Sequence, residues 1–289
     1  LSTPWSRSVG IDVPIVNAPM GGAAGGRLAV AVARAGGLGM VGMGSSATVD
    51  ALTTQLEPVR GLDRSFGIGL VGWVMTAQPQ LLEVALDARP ALLSVSFGDD
   101  WSWVARVRDA GVTAVTQVGS LDAARRAVDG GVQVLVARGA EGGGHGEPRI
   151  GTLPLLADLL DTLDVPVLAA GGIASPRALA AVLAAGASAA WLGTVFAACP
   201  EAMTTPQHRE ALVAAEGVDT TLTRQFDLAQ GHPWPAHLPE RVLTDRRGAP
   251  TPVNAGQGVG AVTTAEPAAE LIARLCGDAE VLLRRAGGL

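Results

Sequence analysis

The chain has no lysine and no tyrosine. It has four histidines, two cysteines, and aromatic residues at only 3% of its 289 positions. Each scarcity excludes a chemistry. Without lysine there is no protein-supplied Schiff base or lysine general base. Without tyrosine there is no phenolic acid. Two cysteines, Cys199 and Cys276, cannot build a disulfide framework or a zinc cluster, and they read as small buried hydrophobes. All 21 basic residues are arginines, dispersed along the chain against 27 acids, for a net charge of −6. That balance, with no basic and aromatic platform, argues against a nucleic-acid partner. The apolar runs are broken by Gly, Arg or Pro, so no membrane span is expected. LSTPWSRSVGIDVP carries no apolar signal core, and a cytoplasmic location is expected.

What is present is apolar and glycine-rich. Hydrophobic residues make up 48%, charged residues 17%, and there are 38 glycines. Such a chain buries a large core, and its length suits one unit spanning 1–289. A homo-oligomer is left open. Short apolar runs predict strands at 15–20, 38–42, 66–72, 92–97, 113–118, 132–137, 165–170 and 189–196. Helical spacing predicts helices at 28–35, 49–59, 78–88, 103–110, 121–129, 154–163 and 176–184. Ser120 and Ser175-Pro176 are placed as helix starts, with Asp50 near another. Gly36, Gly111, Gly130 and Gly186 are placed as helix ends. Eight strands with seven intervening helices predict an α/β (β/α)8 TIM-type barrel. A doubly wound sheet would carry a GxGxxG turn after its first strand, and APMGGAAGG does not match it. After a helix at 206–216, residues 217–262 read as an irregular, lid-like insertion. A last helix is expected at 266–275.

Barrel enzymes bind ligands at the C-terminal ends of their strands. The distinctive loops fall there, foremost GAEGGGHG (139–146) after the sixth strand. His145, between two glycines, is the leading candidate for a neutral-pH base. The bland alternative is an incidental histidine in a flexible loop. Gly171, Gly172, Gly193 and Thr194, after strands seven and eight, suit a phosphate held by backbone N–H groups, with Arg177 able to approach. The same glycines also suit plain tight turns. Met20 is either a core filler or a residue edging a cofactor. Gln117 is either a mouth residue or a loop hydrogen-bonder. Ser94 and Ser96 offer a polar face, Asp99 and Asp100 suit helix caps, and Glu141 is either solvated or a backbone clamp. No metal site is expected, because His208, His232 and His237 lie far from His145 in sequence and HPWPAH does not fit a ligand spacing. There is no GxSxG elbow, and Ser120 has no evident His and Asp partners, so hydrolase chemistry is unsupported.

Several stretches together resemble the nitronate monooxygenase family and the related flavin-dependent enoyl-ACP reductases. They are PIVNAPMGGAAGGRLAVAVARAGGLG (14–39), FGIGL (66–70), TQVGSLDAARRAVDGG (116–131), GAEGGGHG (139–146), PVLAAGGIASPRALAAVLAAGASAAWLGTVF (166–196) and AGQGVG (255–260). The resemblance implies a barrel that binds FMN non-covalently. It implies that Pro19, Met20 and Gly21 face the flavin ring and that Gln117 approaches its polar edge. Gly69, Gly143 and Gly144 also fall at flavin-contacting positions. Gly172, Gly193 and Thr194 fall at the phosphate, Gly171 is a further cofactor-binding position, and His145 is the catalytic histidine. The implied reaction is oxidation of small alkyl nitronates by O2 to carbonyl compounds and nitrite, without NAD(P)H. The alternative is an NAD(P)H-dependent enoyl or quinone reductase, and a further one is a flavin-binding scaffold without turnover. The chain departs from the family pattern at four places. Gly69 stands where Asn is usual, Arg138 where Gln is frequent, and Gly143 where Ala is frequent. TRQFD (223–227), followed by GHPWP, also differs from the reductase pattern.

Overall fold

Most of the barrel strands are runs buried on both faces, as a parallel sheet covered by helices requires. The computed structural model describes residues 1–287, so the last two residues of the expected unit lie outside it. Its strands are β1 (Ile15–Asn17), β2 (Gly39–Gly42), β3 (Phe66–Val71), β4 (Leu92–Ser96), β5 (Thr113–Val118), β6 (Val134–Arg138), β7 (Gly144–His145), β8 (Val167–Ala170), β9 (Ala189–Leu192), β10 (Thr220–Thr223), β11 (Glu240–Thr244) and β12 (Pro250–Asn254). Eight of them pair in parallel in the order β1-β9-β8-β6-β5-β4-β3-β2. A bridge between Val16 and Leu38 closes the ring. Asn17 seals the same seam. Its buried carboxamide accepts from the Met40 N–H at 2.7 Å and donates to the Met40 carbonyl at 3.0 Å, standing in for ladder bonds. The result is the (β/α)8 barrel that the sequence predicts.

Alternation along each strand divides the core. Val134, Val136, Leu168, Ala170 and Trp191 fill the barrel with Val16, Met40 and Val115, and Trp5 and Ile11 pack into the same cluster. Leu135, Ala137, Val167 and Ala169 face the helices. Ser120 and Ser175 cap their helices by accepting from the N–H groups of Ala123 and Ala178, while Thr48 rather than Asp50 caps the helix Val49–Leu56. Gly36, Gly111 and Gly186 take positive φ after helices, but after 121–129 it is Gly131, not Gly130, that does so.

Three expectations need correction. The eighth barrel strand stops at Leu192, because Gly193 opens a helical turn at Thr194–Ala197. The region 217–262 is not irregular throughout. β10, β11 and β12 form an antiparallel sheet whose central strand also pairs with β7 in the glycine loop. These strands are short, rich in Thr and Pro, and lack alternation, so period-2 reading misses them. The last helix runs Ala268–Ala286, burying Ala268, Leu271, Ile272, Leu275, Cys276 and Ala279. Gly277 in its middle lies on the exposed side, where a side chain would meet nothing. No described helix is long and apolar enough to cross a membrane.

Candidate active site

A cavity of about 550 Å³ opens at the C-terminal ends of the barrel strands. That volume lies within the range of cofactor-sized sites, about 300–1,000 Å³. Every candidate site residue lines it: Pro19, Met20, Gly21, Gly69, Gln117, Gly143, Gly144, His145, Gly171, Gly172, Gly193 and Thr194.

One wall is backbone. The segment after β1 lies so close to β2 and β3 that a Cβ on Gly42 would stand 2.2 Å from the Pro19 carbonyl carbon, and one on Gly69 would stand 2.3 Å from the Pro19 ring. After β8, Gly171 and Gly172 take φ of 108° and 69°. The N–H groups of Gly171, Gly172, Gly193 and Thr194 find no backbone acceptor among the described residues. Unpaired N–H groups gathered at one place form a concavity suited to an anion. The Thr194 hydroxyl accepts from the Gly256 N–H at 3.0 Å, which leaves its own proton free to donate. Arg177 is exposed and takes no part in the lining.

The facing wall is made of side chains. β7 pairs with β11 so that His145 lies opposite Glu240. The helix Gln225–Gln230 brings Asp227 to His145, with Nε2 to Oδ2 at 2.9 Å. Trp234 stacks flat on the imidazole, centroids 3.5 Å apart and planes 5° from parallel. Its indole N–H donates to the Ser45 hydroxyl at 3.0 Å, which fixes the plane of the stack. Phe97, in a left-handed conformation at φ 69°, sets its edge against Trp234. Burial pulls the His145 pKa below its ordinary value, even though the Asp227 carboxylate opposes that shift; Arg138 and His232 add to it. Glu240 is pushed up to about 7, first by burial and then by the charge of Asp227. The imidazole nitrogen and the two carboxylates lie within 4.8 Å of one another, a grouping of potential metal ligands that histidine spacing alone does not reveal.

Arg138 reaches the cavity, but as a clamp. It is buried, and its Nη2 donates to the carbonyls of Gly142, Gly143 and Gly144 at 2.7, 3.2 and 2.8 Å. Burial lowers its pKa to about 10, with Arg241 adding and Glu141 opposing, and the group keeps its charge at neutral pH. Gly143 packs on Ala255 and Gly256, where a Cβ would stand 2.7 Å from backbone. Gln117 lines the cavity and its Nε2 donates to the His145 carbonyl at 3.4 Å. Ser94 and Ser96 line it as well, both buried. Glu141 is a backbone clamp, accepting from the Thr152 N–H at 2.9 Å. Asp100 precedes the N-cap Trp101 and accepts from the Ser102 N–H at 2.9 Å, at the start of the helix Ser102–Asp109. Burial pushes the thiols of Cys199 and Cys276 up to about 12 and 11, so neither is a nucleophile.

Asp227, Trp234, Glu240 and Phe97 are the residues that sequence reasoning misses. Asp227 and Trp234 lie in TRQFD and GHPWP, the stretches that depart from the reductase pattern. That departure is the signal that marks them.

The nitronate monooxygenase profile matches residues 2–72 and 70–233. A nitronate monooxygenase of Paraburkholderia phytofirmans is 32% identical over 262 residues, covering 74% of this chain and 71% of its own length. A (3aS,4S,5R,7aS)-5-hydroxy-7a-methyl-1-oxo-octahydro-1H-indene-4-carboxyl-CoA dehydrogenase of Rhodococcus jostii is 31% identical over 84% of this chain, which spans 66% of that protein's length. Among solved structures, FabK from Thermotoga maritima superposes with a TM-score of 0.88 at 25% identity, covering 100% of this chain and 99% of that one. A nitroalkane oxidase from Streptomyces ansochromogenes gives 0.82 at 29% identity, covering 97% and 99%. A barrel closed around a glycine-lined cavity, with a histidine on the loop after its sixth strand, thus belongs to the nitronate monooxygenase family, within the flavin oxidoreductase superfamily.

Proposed function

We propose that this chain binds FMN and oxidises small alkyl nitronates with O2, yielding a carbonyl compound and nitrite. The observation that carries the reading is the opposition of the two walls. A carboxylate-anchored imidazole faces a bare backbone wall that ends in unpaired N–H groups. The residues fit the cofactor. Gly171, Gly172, Gly193 and Thr194 would hold its phosphate, and Pro19, Met20, Gly21 and Gly69 leave a flat wall for its ring. Gln117, Gly143 and Gly144 would meet its edge. Bound there, the flavin supplies the redox chemistry between the organic substrate and oxygen.

The protein supplies the proton chemistry. His145 is held neutral by burial, so it can take the proton α to the nitro group of a neutral nitroalkane. Once protonated, it can hold the negative oxygen of the nitronate. Trp234 covers one face of its ring, which keeps water from that side and fixes its plane. Arg138 holds the loop that carries it.

A second reading has support from the comparisons: the dehydrogenase of a carboxyl-CoA ester matches this chain as well as the monooxygenases do. Nitroalkanes and thioesters are both carbon acids, so a base at His145 suits either. The electron donor separates them. The FMN-loaded protein is mixed without oxygen, first with an alkyl nitronate and then, separately, with NADH or NADPH. Loss of the oxidised flavin absorbance with nitronate alone supports the monooxygenase. Loss only with nicotinamide moves the assignment to a reductase, and loss with neither donor but with a carboxyl-CoA ester moves it to a dehydrogenase.

A further inference from the structure

We propose that Asp227 and Glu240 form a positioning pair for His145, in which Asp227 fixes the imidazole tautomer and Glu240 stores a proton beside it. The inference deepens the reading of His145 as the proton-transfer residue and rests on it.

Asp227 Oδ2 lies 2.9 Å from Nε2. A carboxylate only accepts, so Nε2 carries the hydrogen and Nδ1 is left with the lone pair. A substrate proton then goes to Nδ1. The imidazolium that forms is held by the negative charge already beside Nε2. No other hydrogen bond to the ring is made by the described residues. Trp234 stacks on the imidazole and opposes ring rotation, so the tautomer is also an orientation.

Glu240 completes the arrangement. It is buried, and its Oε1 has no hydrogen-bond partner. Two buried carboxylates this close do not both ionise readily, because like charges in a low dielectric repel. Among the described residues no cation pairs with Glu240. Its neighbour Arg241 turns to the Ala140 carbonyl and the Thr220 hydroxyl. Arg138, from β6, gives its Nη2 to the loop carbonyls, and His232 lies tilted against Trp73. Asp227 and His145 are the groups that face it, so Glu240 holds its proton more tightly than an exposed carboxyl does, and while it is protonated Asp227 acts alone on His145. When Glu240 ionises, a second negative charge joins the cluster and favours the imidazolium, which cannot serve as a base.

The test reads the ring itself. With four histidines in the chain, ¹⁵N-histidine labelling gives few signals, and His145→Gln identifies the one from His145. The FMN-loaded wild type is expected to show the Nε2–H tautomer, with an inflection near pH 7 caused by Glu240. Asp227→Asn is expected to shift the population toward Nδ1–H. It should also lower kcat for a neutral nitroalkane at least 100-fold, while a preformed nitronate loses less than tenfold. Glu240→Gln should keep the Nε2–H tautomer and lose the inflection. An Nδ1–H tautomer in the wild type, or an unmoved tautomer in folded Asp227→Asn, overturns the proposal. So does a His145 signal that shifts on treatment with EDTA, which would assign the cluster to a cation. The tautomer is read without turnover. A correct tautomer with no nitroalkane activity would therefore overturn the nitronate reading and leave the pair intact.

Discussion

The two walls of the cavity are built from different materials and different parts of the chain. The barrel wall uses Pro19, Gly69, Gly171, Gly172 and Gly193, and what it offers is backbone. The cap wall uses His145 and Trp234, backed by Asp227 and Glu240, and what it offers is side chains linked across long sequence separations. A backbone wall binds a ligand by shape and N–H groups and does not titrate. A side-chain wall moves protons, and each member depends on its neighbours. Binding and proton transfer should therefore be separable by mutation.

The largest separation is expected at His145. His145→Ala should lower turnover of a neutral nitroalkane by about 10²–10⁴-fold, the usual range for a lost general base. FMN content should stay stoichiometric, and turnover of a preformed nitronate should fall far less. Steady-state kinetics on both substrate forms, with flavin absorbance per protein, makes the comparison. Loss of FMN along with turnover would mean that the walls are not separate.

The converse change is Gly172→Val. A β-branched residue at φ 69° carries strain of about 1–3 kcal/mol, and its Cβ would stand 3.2 Å from Glu141 Cβ. FMN should bind about 10–100-fold more weakly by fluorescence titration, while the rate per bound flavin holds. An unchanged Kd would remove the phosphate from this corner.

The two walls also differ in how far they can be read from sequence. Barrel strands such as LLSVS and VLAA are buried on both faces and punctuated by glycine, so composition and spacing reveal them. The glycine loop, the glycine pair after β8 and Gly193 after β9 sit at strand ends, where barrel geometry puts ligands. The cap offers no such regularity. TTLT, ERVLT and PTPVN satisfy their backbones by pairing with one another and with β7, a relation no local period encodes. Asp227 lies 82 residues from His145, and Glu240 meets it only through strand pairing. Arg138 is a case between the two. Its position at the end of β6 is legible, but its role as a clamp needs the three carbonyls it bonds.

Arg138→Met is therefore the sharper probe of how the walls join. It removes charge-assisted bonds to three carbonyls of one loop, and a loss of about 1–3 kcal/mol is expected. Thermal unfolding should show the loss, and amide exchange should rise within 142–146 while β8 and β9 keep their protection. Protection unchanged in the loop would mean that pairing with β11 holds it unaided.

The smallest expected effect concerns Glu240, and its sign follows from linkage. Its pKa stands at about 7 in the fold against an ordinary 4.5, so the folded state binds the proton more tightly. The stability this contributes is complete below about pH 4.5 and is lost as pH rises through about 7. Glu240→Gln cannot ionise, so the variant should gain on the wild type between pH 5 and 8, by on the order of 2–5 °C in Tm at the upper end. His145 acts with the opposite sign. Its pKa is lowered in the fold, so its contribution is present above its ordinary 6.5 and lost as pH falls. Tm measured from pH 5 to 9 for the wild type and both variants separates them, because Glu240→Gln flattens the alkaline limb and His145→Ala the acid limb. An alkaline limb that persists in Glu240→Gln would move that titration to another group, and the cap wall would then lack its proton store.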